Sequence, residues 1–163
     1  MHTVLIVDDE KHTRDGLKQA LQEQYQVYVA ADARQALEVF EIDPADVVLT
    51  DLRMGDSNGL ALIEALLKKP RPPICLLMTA YGSVDTAVEA MKRGAYDFLT
   101  KPLKLAQLEL KLRRALKDRA LEQENQVLHQ RLDQKYQFSQ IVGHSEALAR
   151  VLEQVRYVAP ARS

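Results

Sequence analysis

The stretch VVLTD, residues 47–51, is an apolar run that ends on an aspartate, and LRMGDSNG, residues 52–59, continues it with the composition of a loop. Comparable runs are TVLIV (3–7), QVYVA (26–30), ICLLMT (74–79) and DFLT (97–100). Runs this short and this apolar are typical of parallel strands that are covered on both faces. The third strand is therefore predicted at residues 46–50. Asp51 follows at its carboxyl end, where it either begins a turn or acts as a reagent.

Segments of helical periodicity follow the strands. Gly82 and Ser83 predict the start of the fourth helix, and Gly94 predicts its end. The apolar residues that would share a helix face are Leu17, Ala20 and Leu21; Ala36, Leu37 and Phe40; Leu62, Leu66 and Leu67; and Val84, Ala87, Val88 and Met91. Repeated strand–helix units predict an α/β fold with a doubly wound five-stranded parallel sheet and right-handed crossovers.

Composition points away from several classes of protein. The 163 residues carry a formal net charge of -1, whereas a nucleic-acid or membrane surface usually shows a basic excess. The single cysteine, Cys75, is expected to be a core residue in a reducing compartment. No apolar stretch approaches the length of a membrane span, and MHTVLIVDDE does not read as a secretory signal. We therefore expect a cytoplasmic protein.

Polar side chains stand at the carboxyl ends of all but the second predicted strand. Asp8 and Asp9 follow the first strand, Asp51 follows the third, Thr79 ends the fourth, and Lys101 follows the fifth. Ligands of open α/β sheets gather at this edge, near the point where the strand order reverses. Each residue has an ordinary alternative role as a cap, a turn residue or a solvated side chain. The presence of such residues at four strand ends nevertheless predicts one shared site.

The residue types at these strand ends suit a narrow chemistry. Crowded carboxylates bind a hard cation, and Mg²⁺ accepts one or two of them while keeping water and phosphate oxygens as its other ligands. Asp51 would then be a nucleophile that attacks phosphorus and forms an aspartyl phosphate. Lys101 and Thr79 could neutralise the remaining charge on the phosphoryl oxygens.

Four segments resemble the signatures of the receiver domain of two-component response regulators: VLIVDDE (4–10), VVLTDLRM (47–54) with Gly59 eight positions after the aspartate, LLMTAYG (76–82) and GAYDFLTKP (94–102). The resemblance covers residues 1–118 and implies a flavodoxin-like fold of five βα units. It makes Asp51 the phosphoacceptor for a sensor histidine kinase. It also places Asp9 and the backbone carbonyl of Arg53 on Mg²⁺, with Asp8 holding the metal through water.

The same resemblance implies a conformational switch. Thr79 and Lys101 would contact the phosphoryl group, and Phe98 would rotate inward as Thr79 moves toward it. The alternative for Phe98 is a permanently buried core aromatic. Family members often carry proline after the methionine of DLRM, where this chain has Gly55, so the loop after Asp51 is expected to be less stiff.

Residues 105–138 contain neither glycine nor proline, which predicts that the fifth helix continues as a linker over residues 119–138. Spacings of four, three and four residues predict a short coiled-coil seam and hence a homodimer, in which a buried asparagine favours a parallel two-stranded register. The seam residues are Leu121, Asn125, Leu128 and Leu132. A single surface helix is the alternative.

Residues 139–163 include IVGHSEALARVLEQVRYVAPARS, in which Gly143 and Ser145 predict the start of a new helix. This segment resembles the opening of the AAA+ ATPase domain in NtrC-type, sigma-54-dependent transcription activators. The chain contains no G-x-x-x-x-G-K-[ST] motif and no recognisable helix-turn-helix. The resemblance implies a longer activator, truncated here, that reaches sigma-54 RNA polymerase and DNA through further domains.

A phosphorylation-dependent signalling switch is therefore predicted, with no enzymatic activity beyond its own phosphoryl transfer and hydrolysis. Two other classes of function stay open. A phosphatase with an aspartyl-phosphate intermediate would share the nucleophile, the metal and the lysine, but commonly has an acid where this chain has Arg53. A non-catalytic interaction module would respond to phosphoryl analogues without any dependence on Mg²⁺.

Overall fold

Strands and helices alternate through the first two thirds of the chain, except where a two-stranded hairpin follows the third strand. In this computed structural model the elements are, in chain order, β1 (Thr3–Val7), α1 (Lys11–Leu21), β2 (Gln26–Ala30), α2 (Ala33–Ile42), β3 (Val47–Asp51), β4 (Arg53–Met54), β5 (Ser57–Asn58), α3 (Gly59–Leu67), β6 (Ile74–Thr79), α4 (Val84–Lys92), β7 (Asp97–Thr100) and α5 (Leu105–Val158). The structure describes residues 1–80 and 84–158, with the side chains of 1–80, 84–135 and 150. The predicted helix-start signals Gly82 and Ser83 lie outside the described residues.

The order of the strands confirms the doubly wound parallel sheet that the sequence predicted. It is β2-β1-β3-β6-β7, so the winding reverses between β1 and β3. In the register of these two strands, Val7 lies opposite Thr50. The next residue of each strand is an aspartate, which places Asp8 beside Asp51 at the carboxyl edge. This is the position at which doubly wound sheets bind their ligands.

Side chains of the sheet alternate between two buried layers. One layer packs Leu5, Val48 and Leu77 against α2, α3 and α4. The other packs Ile6 and Leu49 against α1 and α5. Side chains two residues apart on a strand point to the same face. Asp8, Asp51 and Lys101 therefore lie on the face of the second layer, because each follows a buried apolar residue of that layer by two positions. Those residues are Ile6, Leu49 and Leu99.

The end of α4 and the course of α5 test two predictions about helix boundaries. Gly94 follows α4 with a φ of 93°, and its N–H donates to the Met91 carbonyl, which confirms the predicted helix end. The helix α5 includes Gly143 and Ser145, so the prediction of a new helix there is wrong. One interior glycine costs a helix only about 1 kcal/mol, and no proline interrupts this one.

Two compact units divide the chain, Met1–Asp118 and Arg119–Ser163. Across the described residues, no helix has the length and apolarity that crossing a membrane requires.

Candidate functional site

Three carboxylates meet at the carboxyl edge of the sheet. Asp8 is fully buried, Asp51 is 9% exposed, and Asp9 is exposed. One oxygen from each can be chosen so that all three lie within 4.8 Å of one another. Anionic oxygens this close repel each other unless a cation lies near them. The predicted acidic residues are therefore brought together by the fold, in a geometry that calls for positive charge.

Lys101 supplies part of that charge. Its Nζ donates to Asp8 Oδ2 at 2.9 Å and to Asp51 Oδ2 at 2.7 Å. Burial lowers the pKa of the lysine, but the hydrogen bonds to Asp51 and Asp8 outweigh this effect and raise the pKa above its usual value. The backbone N–H of Lys101 donates to the Thr79 carbonyl at 2.8 Å, which ties the ends of β6 and β7 together. Lys101 is therefore a held, charged group beside Asp51.

The hydrogen-bond partners of Asp8 do not fully offset the cost of burying its charge. Burial raises the pKa of its carboxyl group, and hydrogen bonds from Lys101 and from the Glu10 N–H offset part of that effect. The Glu10 N–H donates to Asp8 Oδ1 at 2.8 Å. A further cation beside Asp8 would favour its charged form. Three clustered carboxylates are a donor set that fits Mg²⁺.

The loop after Asp51 is a short hairpin that the sequence did not predict. β4 and β5 pair antiparallel, with Met54 opposite Ser57 and two residues between them. Gly55 has a φ of 54°, a conformation that glycine adopts readily. The loop also binds the acidic cluster, since the Arg53 N–H lies 3.3 Å from Asp51 Oδ1 and the Gly55 N–H lies 3.0 Å from Asp9 Oδ2.

Gly59 allows α3 to begin directly against Asp51. A Cβ atom at this position would lie 2.1 Å from the Asp51 carbonyl oxygen, which is far inside van der Waals contact. Asn58 precedes it and caps the helix, because its Oδ1 accepts the Leu60 N–H at 2.8 Å. The spacing of eight residues between Asp51 and this glycine thus has a steric cause.

Arg14 is a contributor that sequence reasoning missed. Its Nη1 donates to the backbone carbonyls of Asp8 at 2.6 Å and Asp9 at 3.0 Å. The arginine, one turn into α1, therefore holds the backbone that carries two of the three carboxylates. No motif distinguishes it from a surface arginine, because its role depends on the path of the chain between β1 and α1.

The two residues expected to act as a switch occupy neighbouring strands. Thr79 is 2% exposed at the end of β6. Phe98 is half-buried on β7, where it packs against the layer formed with α2, α3 and α4. The Nζ of Lys111 lies 5.9 Å from the centre of the Phe98 ring and forms a close ion pair with Asp97. Phe98 is thus covered by a lysine from α5 and is not fully enclosed in the core.

A doubly wound sheet with an aspartate cluster and a lysine at its carboxyl edge defines a class of phosphoacceptor signalling domains. The response regulator receiver domain family matches residues 4–113, and the chain belongs to this family. It therefore contains the receiver domain of a two-component response regulator, a phosphoacceptor regulatory module. Such a domain implies a histidine kinase as its partner.

Relatives extend the match beyond the receiver. The chain is 37% identical over 161 residues to the regulatory protein AtoC of Escherichia coli K12, covering 98% of this chain and 35% of AtoC. It is 38% identical over 166 residues to the transcriptional regulatory protein ZraR of Klebsiella oxytoca, covering 96% of this chain and 34% of ZraR. The resemblance to NtrC-type activators is confirmed by these relatives. The chain spans about a third of their length.

Solved structures share the fold. NtrX from Brucella abortus, solved in complex with ADP, superposes with a TM-score of 0.71 at 34% identity, covering 78% of this chain and 29% of NtrX. A CheY-like response regulator receiver domain protein from Methanospirillum hungatei gives a TM-score of 0.70 at 29% identity, covering 75% of this chain and 98% of that protein. Both likenesses support the same receiver architecture.

Proposed function

We propose that Asp51 accepts a phosphoryl group from the phosphohistidine of a sensor histidine kinase, in a site that also binds Mg²⁺. The observation that carries this proposal is the Lys101 ammonium, bonded at once to Asp51 and to Asp8 inside the acidic cluster. A carboxylate oxygen of Asp51 attacks phosphorus while the P–N bond of the phosphohistidine breaks, and the imidazole nitrogen keeps the bonding electrons. Lys101 then neutralises charge on the phosphoryl oxygens.

The acidic cluster and the loop after it would hold Mg²⁺. Asp9, Asp51 and the backbone carbonyl of Arg53 would be the ligands, with Asp8 acting through water. When bound, the ion supplies charge neutralisation to the phosphoryl oxygens during transfer. Lys101, which is paired with both Asp8 and Asp51, would orient the Asp51 carboxylate. Family membership favours this phosphoacceptor role over a phosphatase or a non-catalytic module.

A groove of about 540 Å³ beside Lys101 supports the approach of a protein partner. It lies between the first half of α1 and residues 101–103, and Thr13, Gly16 and Leu103 are among its lining residues. A partner helix in this groove would lie beside Lys101, whose Nζ donates to Asp51 Oδ2. Phosphorylation of Asp51 would then draw the Thr79 hydroxyl toward the phosphoryl group and allow Phe98 to rotate inward.

The receiver would regulate a longer sigma-54-dependent activator. Its relatives are named as regulatory proteins, and they are about three times as long as this chain. The exposed leucines of residues 119–135 would join two chains as a short coiled coil, which would carry the state of two receivers to an AAA+ domain. Sigma-54 RNA polymerase and DNA would be contacted by domains beyond this chain.

The decisive experiment is phosphorylation of an Asp51→Asn variant. Asparagine keeps the size of the side chain and removes the anionic nucleophile, so labelling by acetyl phosphate with Mg²⁺ should vanish in intact mass spectra. The fold should persist, and its thermal stability should be unchanged or higher because a repelling charge has been removed.

Asp56→Asn is the matched control, since it makes the same change in an exposed aspartate of the same loop. This control should label like the unmodified chain. Robust labelling of Asp51→Asn would show that another residue is the phosphoacceptor. Beryllofluoride, which mimics the aspartyl phosphate, should bind the unmodified chain in the presence of Mg²⁺ and should lose that binding when Mg²⁺ is withheld.

A further inference from the structure

The hydrogen bond between the Gly55 N–H and Asp9 Oδ2, 3.0 Å long, joins the loop after β3 to the acidic cluster. The two residues are 46 positions apart in the sequence. Asp9 is exposed, so its carboxylate would otherwise sample several rotamers in water. A single backbone donor therefore restrains the least buried of the three carboxylates.

The conformation of Gly55 explains how its N–H reaches Asp9. Gly55 occupies the first central position of the β4–β5 turn with a φ of 54°, and Asp56 at the second position has no positive φ. That combination matches a type II′ hairpin turn, which prefers glycine at its first central position. Proline at this position could not adopt the positive φ and would carry no N–H to donate.

The bond leaves Asp9 able to bind a metal. It occupies Oδ2, and a carboxylate has a second oxygen that can serve as a single ligand to Mg²⁺. Hydrogen bonds to the non-coordinating atoms of metal ligands fix their orientation and commonly change metal affinity by tenfold or more when they are removed.

We propose that the Gly55 amide is a positioning group for Mg²⁺ binding: it holds the Asp9 carboxylate turned toward Asp8 and Asp51 before the metal arrives. This inference rests on the proposed Mg²⁺ site. In this inference the hairpin loop raises Mg²⁺ affinity through Gly55, although Gly55 itself does not contact the metal. The bond preorganises Asp9, so its loss weakens Mg²⁺ binding without removing any ligand.

The test compares Mg²⁺ affinity of the phosphoryl-free chain in two variants at Gly55. Gly55→Pro removes the donor and should weaken Mg²⁺ binding by about tenfold. NMR titration of backbone amides with MgCl₂ measures this change. Gly55→Asn keeps the N–H, and asparagine tolerates a positive φ better than most residues. Nothing lies within 4 Å of a Cβ at this position, so the control should bind Mg²⁺ nearly as well as the unmodified chain.

A second measurement uses the metal-free protein. Asp9→Ala should speed hydrogen exchange of the Gly55 amide by several-fold, because its acceptor is gone, and this readout does not depend on how Gly55→Pro folds. Unchanged or tighter Mg²⁺ binding by Gly55→Pro would overturn the inference while leaving the proposed function intact. Equal weakening in Gly55→Asn would also overturn it, since that variant keeps the donor. Failure of the unmodified chain to bind Mg²⁺ at all would overturn both.

Discussion

The carboxyl edge of the sheet and residues 119–135 of α5 both depart from the usual burial of side chains, but in opposite ways. At the sheet edge, charged residues are enclosed, with Asp8 fully buried and Asp51 9% exposed. In residues 119–135, apolar residues face solvent, with Leu121, Leu128 and Leu132 each about half exposed. A buried charge is costly without a compensating group, and leucines repeated along one exposed helix face are typical of a surface that another helix can cover.

The two regions differ in where the partner comes from. At the sheet edge the carboxylates are compensated within the chain by Lys101 and by backbone N–H groups of Glu10, Arg53 and Gly55. The exposed leucines belong to neither of the buried core clusters of the described residues. The protein groups around the acidic cluster therefore all come from one chain, whereas the helix segment offers a surface that a second chain could cover.

Gly59→Ala should disrupt the carboxyl edge of the sheet most severely. The added methyl group would collide with the backbone carbonyl of Asp51, which cannot move without displacing β3. We expect the free energy of unfolding to fall by about 3 kcal/mol, at the upper end of the cost of overpacking a core. Chemical denaturation measures this change, and acetyl phosphate labelling should fall with it, because α3 begins against Asp51, the proposed phosphoacceptor.

Gly16→Ala is the matched control for that prediction. It makes the same substitution in the middle of α1, where nothing lies within 4 Å of the added carbon. Alanine there should stabilise the protein by up to about 1 kcal/mol through helix propensity alone. Equal stability changes in the two variants would show that the close approach at Gly59 is not real.

Lys101→Met should uncouple the charges at the sheet edge. Methionine keeps much of the length of the side chain but leaves Asp8 and Asp51 without the ammonium that bridges them. We expect labelling by acetyl phosphate to slow by about a hundredfold, the usual effect of losing one group that stabilises transition-state charge. Thermal stability should also fall in the absence of Mg²⁺ and recover on its addition.

Lys104→Met controls for the loss of a positive charge. Lys104 is exposed three residues later, and the same substitution there should leave both labelling and stability near those of the unmodified chain. A Lys101→Met variant with unchanged stability at every Mg²⁺ concentration would contradict the idea that this lysine compensates the carboxylates. The sheet edge would then tolerate its charges by solvation.

Much of the sheet edge was predictable because its residues obey local rules. Apolar runs located the strands to within one residue, and the residues after them located Asp8, Asp51 and Lys101 in one cluster. The hairpin of β4 and β5 was not predictable, because strands of two residues have no periodicity to detect. The Arg14 and Gly55 contacts were missed for a related reason: they depend on positions in space that no spacing in the sequence encodes.

The helix segment was less predictable than the receiver, and the reason is physical. Helical periodicity reports which residues could be buried together, but an exposed helix obeys the same propensities whether or not a partner covers it. Gly143 looked like a helix start, yet the cost of one interior glycine is too small to end a helix without tertiary packing to favour a break.

The final prediction concerns the exposed leucines themselves. Changing Leu128 and Leu132 together to lysine should weaken the unphosphorylated dimer by about tenfold or more, because like charges would face each other in the proposed seam. Both side chains are half exposed in the single chain, so the substitutions should leave its fold and the labelling of Asp51 unchanged. Sedimentation equilibrium measures the dissociation constant.

Gln123→Lys with Gln130→Lys is the matched control, because it adds the same two charges at exposed positions seven residues apart on the side of the helix away from the proposed seam. That variant should dimerise like the unmodified chain. If the leucine variant also dimerised normally, the association surface would lie elsewhere on the chain. The exposed leucines would then be solvated residues of a spacer helix, and this helix would not carry the signal by holding two chains together.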